Sequence, residues 1–547
     1  MGSRTRLTRF GRDESGTLVI FALMLTVLMM MMGGIAVDLM RYESRRTSLQ
    51  NTLDRSTLAA AALTQNLVPR AVVDDYFLKA GLMDYLTSVT VTQGLNFRSV
   101  TATAAADTNP LFLSMMGIKE FDAPGISSAE QRVNNVEIVL VLDISGSMGG
   151  AKITNLRSAA SSFVDTVLLN DPEKKIAISV VPYNAQVNLT PDLLAEFNVT
   201  TPNSVVNASC LELPASTFTT PGLSTLTPLP MIAYADTAST TSKVDGFATV
   251  ASSGAMVASG AACQKGTMNQ VFLPNQTPTA LKAKINALQA GGNTSIMYGM
   301  RWATTLLDPA ARQVYTNLIN KGLMPANLAG RPVDYSDKET LKVIVVMTDG
   351  EHVSHEVITP TYKTDWSPIY KSIGDGNYSI RHTTGRPAIA GTNEYWVPHL
   401  ATGTDATPGW KATPWNSGAG VSQMDWKTVW PELRTSWVEW QLYARALGTT
   451  STTRNTIFNN MVTAIEGVNA SATTMDSQLQ QLCTLAKTNG VVVYGIAFEA
   501  PAIGQTQIRN CSTDGENGSH YFDAQGLEIA TAFNAIANNI SQLRLTQ

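Results

Sequence analysis

The sequence predicts an α/β protein with a mostly parallel sheet flanked by helices. A transmembrane helix and a small α+β segment precede this sheet, and two long insertions interrupt it. After residue 135, strands rich in Val and Ile alternate with helical segments, as in parallel sheets covered on both faces. A long uncharged run lies near the N-terminus. Two stretches without such strands, at about 196–275 and 351–455, break the alternation.

The uncharged run covers residues 15–37, which is 23 of the 547 residues. A helix of that length crosses about 30 Å of hydrocarbon. A cleaved secretory signal is the alternative, but its apolar core is only about 7 to 15 residues long. Four arginines lie in the basic segment 1–14, which the positive-inside rule places in the cytoplasm. We therefore expect a single-pass membrane protein with a cytoplasmic N-terminus. The bulk of the chain should lie on the opposite side of the membrane.

The sequence of residues 38–134 predicts that this helix continues to about residue 65 and is followed by a small sheet. The stretches "SVTVTQG" and "FRSVTATAAA" alternate with period two, as short strands do. A long N-terminal helix with a small sheet is a pilin-like layout.

The α/β part covers 135–547. We expect its strands at 137–143 and within "KKIAISVVPYN", "LKVIVVMTDG" and "GVVVYGIAFEA". Helical spacing predicts helices after residue 153, near 473–489 and at about 526–544.

Composition excludes one class of partner and suggests disulfides. The formal net charge is −4, which gives no basic footprint for nucleic acid. Cys210 and Cys263 share the first insertion, whereas Cys483 and Cys511 flank the last long strand. An even cysteine count outside the cytoplasm favours disulfides, and neighbouring cysteines are the expected pairs. Four buried free thiols are the alternative.

Polar side chains follow two of the predicted strands at the points where these strands end. One strand runs into a D-x-S-x-S turn, another ends in Thr-Asp-Gly, and a Gly-Gly-x-Thr turn precedes a helical run. Ligands of open parallel sheets bind outside the carboxyl ends of the strands. Hydroxyl and carboxylate oxygens suit Mg²⁺, with Mn²⁺ or Ca²⁺ as alternatives. Few anionic ligands would leave such an ion open to an external carboxylate. The predicted metal ligands are Asp143, Ser145, Ser147, Thr294 and Asp349.

These five residues resemble the metal-ion-dependent adhesion site of von Willebrand factor A domains, and the resemblance covers about 135–545 without the insertions. The stretch "GTLVIFALMLTVLMMMMGGIAVDLMRYESRRTSLQNTLDRSTLAAAAL" resembles the start of TadG-type proteins of tight-adherence (Flp) pilus systems. "CTLAKTNGVVVYGIAFEA", "NCSTDG" and the terminal "LRLTQ" are similar to the end of that family.

The resemblance implies an envelope protein of the bacterial inner membrane or the pilus tip, acting in pilus assembly and surface attachment. Other pilus or minor pilin-like subunits and an anionic, carboxylate-bearing ligand are the implied partners. One feature departs from the pilin pattern: the fifth residue after Gly16 is Phe21 rather than Glu. Cleavage by a prepilin peptidase is therefore not predicted.

Two other functions compete with a metal-dependent binding module. The first is a passive structural envelope or minor pilin protein in which the metal only stabilises the fold. The second is a hydrolase, which would need a G-x-S-x-G elbow, whereas the turn at Ser145 lacks the first glycine. We expect no catalytic residues. The segment "EHVSHE", 351–356, is not H-E-x-x-H, and a solvated loop is favoured there over a zinc site.

The second insertion holds eight of the nine tryptophans. Because an insertion of this size needs apolar mass to fold, most of them are expected to form a core of their own. Alternatively, some are exposed near the metal, where Trp is effective in binding hot spots.

Overall fold

The computed structural model describes residues 15–541 apart from short gaps and one longer one. The gaps are 63–64, 66, 94–96, 133–134, 170, 172–173, 238–260, 338, 402–405 and 515–518. The predicted basic segment 1–14 therefore lies outside the described residues, as does the end of the last predicted helix. The chain forms two units, residues 1–133 and residues 134–541.

The N-terminal unit consists of one long helix, one short helix and an antiparallel sheet in the order β1-β2-β3. The helix packs on the sheet through Leu49 and Leu53, which are fully buried against small side chains such as Ala102. Small residues allow a close approach of helix and sheet. The elements are α1 (Ser15–Ala61), α2 (Pro69–Lys79), β1 (Leu86–Gln93), β2 (Phe97–Thr108) and β3 (Phe121–Arg132).

The first half of α1 has no such packing. Its large apolar side chains from Leu18 to Met32 are exposed, most of them by more than half. Among the described residues it is the one helix that is long and apolar enough to cross a membrane. This is compatible with the predicted anchor.

The second unit is built on a six-stranded sheet. Its strands are β4 (Asn135–Asp143), β5 (Ile176–Tyr183), β6 (Phe272–Asn275), β7 (Thr340–Thr348), β8 (Val492–Phe498) and β9 (Tyr521–Ala524). They lie in the order β9-β8-β7-β4-β5-β6, and all neighbouring strands are parallel except β6, which runs antiparallel to β5 at the edge. β4, β5 and β7 are buried along nearly their whole length, which explains their continuous apolar sequences.

Helices cover both faces of this sheet. On one face, α3 and α9 are in contact, with the rings of Phe163 and Phe533 5.9 Å apart, and α4 packs beside α3. On the other face, α5, α7 and α8 bury apolar residues against strand side chains such as Val139 and Val141. The helices are α3 (Ala151–Leu169), α4 (Pro278–Ala287), α5 (Ile296–Leu307), α6 (Arg312–Asn320), α7 (Ala472–Thr488), α8 (Ala502–Cys511) and α9 (Glu528–Ser541). The predicted fold class, an α/β sheet flanked by helices with an N-terminal apolar helix, is confirmed.

The two insertions fold against each other. In the first, Val199–Thr201 pairs with Leu229–Pro230. The last residues of its predicted span, Phe272–Asn275, form the edge strand of the main sheet instead. An antiparallel strand pair, Glu356–Ile358 with Glu466–Val468, closes the second insertion. The insertion therefore runs past residue 455, the end expected from the sequence. Lys363 of the second insertion bonds Glu212 of the first at 2.6 Å.

Within the second insertion, a five-stranded sheet packs on a helical segment. The strands are Trp366–Ser372, Tyr378–Arg381, Tyr395–Trp396, Trp410–Lys411 and Val421–Asp425. The helical elements are Trp426–Val429, Thr435–Trp437, a π-helix at Val438–Ala444, Arg445–Leu447 and Ser451–Ile465.

Most tryptophans of this insertion form its core, as predicted. Those at 396, 410, 426, 430, 437 and 440 are buried, and Trp415 is half-buried with its indole N–H donating to Asp375 at 2.8 Å. Trp366 alone among the eight is largely exposed, at 70%.

Both predicted disulfides are confirmed. Cys210 is joined to Cys263, and Cys483 is joined to Cys511.

Candidate metal centre

The predicted acids meet at the carboxyl-terminal ends of the two central strands of the main sheet. β4 and β7 are parallel neighbours in which Leu142 pairs with Met347. Asp143 and Asp349 therefore leave the sheet at nearly the same level. Both are buried, with exposed fractions of 0% and 3%.

The turn after β4 directs two hydroxyl groups to Asp349. Ser147 Oγ donates to Asp349 Oδ1 at 2.7 Å, and Ser145 Oγ lies 3.4 Å from the same oxygen. The two hydroxyl oxygens are 3.0 Å apart. Asp143 shapes the turn because its Oδ1 accepts the backbone N–H of Ser145 at 2.8 Å. Ser145 is buried and Ser147 is exposed, so the oxygen cluster reaches the protein surface.

Glycines explain how a third hydroxyl comes close. Gly146 N donates to Gly292 O at 2.8 Å, and a Cβ on Gly146 would lie only 3.3 Å from that oxygen. Gly292 has φ +83, a left-handed conformation that glycine adopts without strain. The two loops thus dock backbone to backbone. Thr294 follows, and its Oγ1 would lie 3.3 Å from a Cβ placed on Gly350, the neighbour of Asp349.

Two buried carboxylates make the electrostatics of this cluster depend on a nearby positive charge. Burial, together with the nearby charge of Asp349, raises the pKa of Asp143 to about 6. Thr348 Oγ1 donates to Asp143 Oδ2 at 2.7 Å, which stabilises the ionised form. Two carboxylates that are close together and out of water repel each other unless a positive charge lies between them.

A lysine supplies one positive charge, and sequence reasoning missed it. Lys152 Nζ lies 2.9 Å from Asp349 Oδ2 and 3.6 Å from Glu499 Oε2. Lys152 stands in the first turn of α3, where the helix dipole disfavours a cation. The contact with Asp349 offsets this unfavourable position, but it joins residues 197 apart in the chain, so no local sequence pattern marks it.

The residues present fit a hard divalent cation. Three hydroxyls and two carboxylates supply only oxygen donors, as Mg²⁺ prefers. Among the described residues, no three His, Cys, Asp or Glu side chains come together to hold a metal ion. The hydroxyl groups are therefore essential to this donor set. Lys152 would have to release Asp349 Oδ2 before that oxygen could serve an ion.

The histidines of "EHVSHE" do not lie in a solvated loop, so that expectation was wrong. His352 and His355 are 4% and 3% exposed. His352 Nε2 accepts the backbone N–H of Met297 at 3.0 Å, while its Nδ1 pairs with Asp476 at 2.7 Å. Burial lowers the pKa of His355 to about 4. His352 thus ties the start of the second insertion to α5 through Met297, whereas His355 Nε2 lies 3.1 Å from the side-chain nitrogen of Gln186.

Comparisons with known structures give pilus proteins at low similarity. The von Willebrand factor domain of the type V pili tip protein Mfa5 from Porphyromonas gingivalis is 12% identical, with a TM-score of 0.31, and covers 76% of this chain and 98% of its own. The pilus adhesin SpaC from Lactobacillus rhamnosus GG is 10% identical, with a TM-score of 0.30 over 83% of this chain. The chain spans only 34% of that SpaC structure. Because these TM-scores are low, the fold class is assigned from the strand order of this chain and not from these similarities.

The N-terminal segment matches a family by sequence. No curated protein matches the chain significantly. Residues 15–63 match the model of the Tad family, described as "Putative Flp pilus-assembly TadE/G-like". This match confirms the resemblance predicted from the same stretch. The segment formed by residues 15–63 is thus TadE/G-like, similar to proteins of Flp pilus assembly.

Proposed function

We propose that this chain is a metal-dependent binding protein of the bacterial envelope, acting in tight-adherence (Flp) pilus assembly or as a pilus-tip adhesin. One observation carries the proposal: the Ser145 and Ser147 hydroxyls converge on Asp349 at the carboxyl-terminal ends of the central strands. This site is open to solvent at Ser147. The TadE/G-like segment supports the pilus context.

Asp143, Ser145, Ser147, Thr294 and Asp349 would hold Mg²⁺, or Mn²⁺ or Ca²⁺ in its place. A bound divalent ion supplies an electrophilic centre for a carboxylate of the partner. Asp143 holds the turn through the Ser145 amide, while the docked glycine loops keep Thr294 beside Asp349. The turn after β4 and the docked glycine loops therefore position the oxygen ligands, and no residue is assigned a catalytic role.

The apolar run 15–37 is the proposed membrane anchor. It would cross the inner membrane once, with a cytoplasmic N-terminus and the larger unit in the periplasm or at the pilus tip. Other pilus or minor pilin-like subunits are the proposed partners of the N-terminal unit. The exposed apolar side chains from Leu18 to Met32 support the membrane anchor, because side chains of that kind are stable in lipid rather than in water.

The second insertion is the proposed specificity surface beside the metal. Val353 N, at its beginning, donates to the backbone oxygen of Thr294 at 2.9 Å. The insertion is therefore hydrogen-bonded to the loop that carries a predicted ligand. Trp366, exposed at 70%, is its available aromatic anchor.

A second function, a passive structural protein, is favoured by the Lys152–Asp349 pair, but in a form that differs from the alternative stated above, because the lysine rather than a metal would stabilise the fold. At 2.9 Å the lysine already neutralises Asp349, so the fold can exist without a cation there. The two functions differ in what happens when the charge of Asp143 is removed.

The surface attachment of cells whose chain carries Asp143→Asn distinguishes the two functions. The amide keeps an acceptor for the Ser145 N–H, so folding and export should survive. We expect attachment to fall to the level of cells lacking the chain, and chelation of Mg²⁺ to do the same to wild-type cells. Asp192→Asn, at an exposed position, is the matched control and should attach normally. Normal attachment by the Asp143→Asn cells would favour the passive function.

A further inference from the structure

The N-terminal unit exposes a short apolar loop that its own fold leaves uncovered. It lies between β2 and β3, and residues 111–118 contain no charge. Five of its large apolar side chains are exposed: Leu111 by 60%, Phe112 by 44%, Met115 by 85%, Met116 by 55% and Ile118 by 40%. A soluble protein rarely exposes so many neighbouring apolar side chains unless they contact something.

The loop is fixed to α1 by a buried carboxylate. Asp38 is 2% exposed and accepts the backbone N–H groups of Leu111, Phe112 and Leu113 at 2.9, 2.7 and 2.9 Å. Phe112 lies against Gly34 so closely that a Cβ there would be 2.4 Å from its ring. Gly34 and Asp38 are four residues apart and thus lie on one face of the helix. The apolar side chains are held in place at this level of the helix.

That level is the end of the apolar run. The uncharged stretch stops at Val37, and Asp38 and Arg41 are the first charges after it. Lys119 and Glu120 follow the loop in the same way. The loop therefore adds its exposed apolar side chains beside the end of the apolar run, and charged residues follow both along the chain.

We propose that residues 111–118 form a membrane-contacting loop, in which Leu111, Phe112, Met115 and Met116 enter the outer boundary of the lipid bilayer beside α1. The proposal rests on the transmembrane anchor described above. Asp38 is the positioning residue, because its three hydrogen bonds set the height of the loop on the helix. Helix and loop together then fix the depth and tilt of the N-terminal unit.

Fluorescence quenching in phospholipid nanodiscs tests this with the full chain. All four native cysteines are in disulfides, so a new cysteine can be labelled with an environment-sensitive dye. A dye on Met115→Cys should be quenched by lipid nitroxides placed near the headgroups and should be shielded from aqueous iodide. The matched control is Ile126→Cys on β3, which is 63% exposed. Its neighbour Gly125 contacts Leu53, about 22 Å further along the helix than Asp38 at 1.5 Å per residue. That dye should respond to iodide only.

A third position separates the failure of the loop from the failure of the anchor. A dye on Val27→Cys should be quenched by nitroxides deep in the acyl chains. If position 27 is quenched and position 115 responds only to iodide, or to neither quencher because another protein copy covers it, the loop proposal is overturned and the anchor stands. If position 27 is not quenched by lipid, both are overturned.

The role of Asp38 has its own variant. Asp38→Ala should release the loop, so that quenching of the dye at position 115 by lipid falls by at least half while that at position 27 is unchanged. Asp54→Ala is the control because Asp54 lies on the same helix and accepts from Gln50 at 3.0 Å rather than from the loop. Equal quenching at position 115 in the unchanged chain, Asp38→Ala and Asp54→Ala would show that Asp38 does not position the loop.

Discussion

Replacing Glu439 by Gln should stabilise the second insertion at alkaline pH and leave it unchanged at acidic pH. Glu439 lies in the π-helix Val438–Ala444 and is 0% exposed. Among the residues that the structure describes, neither of its carboxyl oxygens has a hydrogen-bond partner, and the same holds for Glu466 nearby. Thr435, which could serve Glu466, donates its hydroxyl to the backbone oxygen of Asp236 at 3.1 Å instead. Two buried, unsatisfied acids are stable only when protonated.

The sign of the pH effect follows from the raised pKa values. Burial, together with the charge of Glu466, raises the pKa of Glu439 from 4.5 to about 9. Burial and the charges of Glu356 and Asp236 raise the pKa of Glu466 to about 7. A group with a raised folded-state pKa contributes its full stability below the unfolded-state pKa, and that contribution is lost as the pH rises towards the folded-state pKa. The insertion should therefore lose stability between pH 4.5 and 9.

The size of the effect follows from 1.36 kcal/mol for each pH unit between the two values. Between pH 5 and pH 8, Glu439 alone accounts for about 4 kcal/mol of lost stability. Gln has the shape of the protonated acid and does not ionise. Glu439→Gln should therefore raise the free energy of unfolding by roughly 2 to 4 kcal/mol at pH 8 and by less than about 1 kcal/mol at pH 5.

Thermal unfolding followed by tryptophan fluorescence measures this locally, since eight of the nine tryptophans lie in the second insertion. We expect the midpoint of the variant to exceed that of the wild type by several degrees at pH 8 and to match it at pH 5. Glu394→Gln is the control because Glu394 forms a partly exposed pair with Arg381 at 2.9 Å, and such pairs contribute about 0.2 to 1 kcal/mol. An equal shift at both pH values, or a variant less stable than the wild type at pH 8, would refute the reasoning.

Three further changes have definite expected outcomes. Lys152→Met removes the charge that competes for Asp349 Oδ2 and should tighten Mg²⁺ binding about tenfold, or about 1.4 kcal/mol, in calorimetry; weaker binding would show that the lysine supports the site. Replacing both Cys483 and Cys511 by Ser opens a loop with a sequence separation of 28 and should lower the free energy of unfolding in urea by about 3 kcal/mol; an unchanged midpoint would contradict this. Trp366→Ala removes the exposed tryptophan and should weaken attachment to the partner at least fivefold while Mg²⁺ binding stays normal; unchanged attachment would place recognition elsewhere.

The main sheet was predictable because its strands are buried on both faces. β4, β5 and β7 are continuous apolar runs, and the polar residues that follow them mark the strand ends. The short strands β6 and β9 were not predicted. They lie at the two edges of the sheet, where half-buried residues such as Tyr521 give a weak pattern.

The candidate site was predictable as a set of donors but not as an electrostatic unit. Asp143, Ser147 and Asp349 follow strands in an order that a parallel sheet brings together. The pairing of Lys152 with Asp349 depends on how α3 approaches the end of β7, which spacing along the chain does not fix. The burial of His352 likewise depends on a partner 124 residues away, Asp476. Long-range contacts of this kind leave no local sequence signal.

Isothermal titration calorimetry of Mg²⁺ with the full chain in nanodiscs measures whether the residues around Asp143 and Asp349 bind a metal ion. Wild-type protein, Asp143→Asn and Ser147→Ala are compared with Asp192→Asn, which keeps the site intact. We expect one Mg²⁺ per wild-type chain, the same for Asp192→Asn, and at least tenfold weaker binding for the two site variants at unchanged thermal stability. Wild-type protein that binds no Mg²⁺, or site variants that bind it as tightly as the wild type, would rule out the proposed metal site.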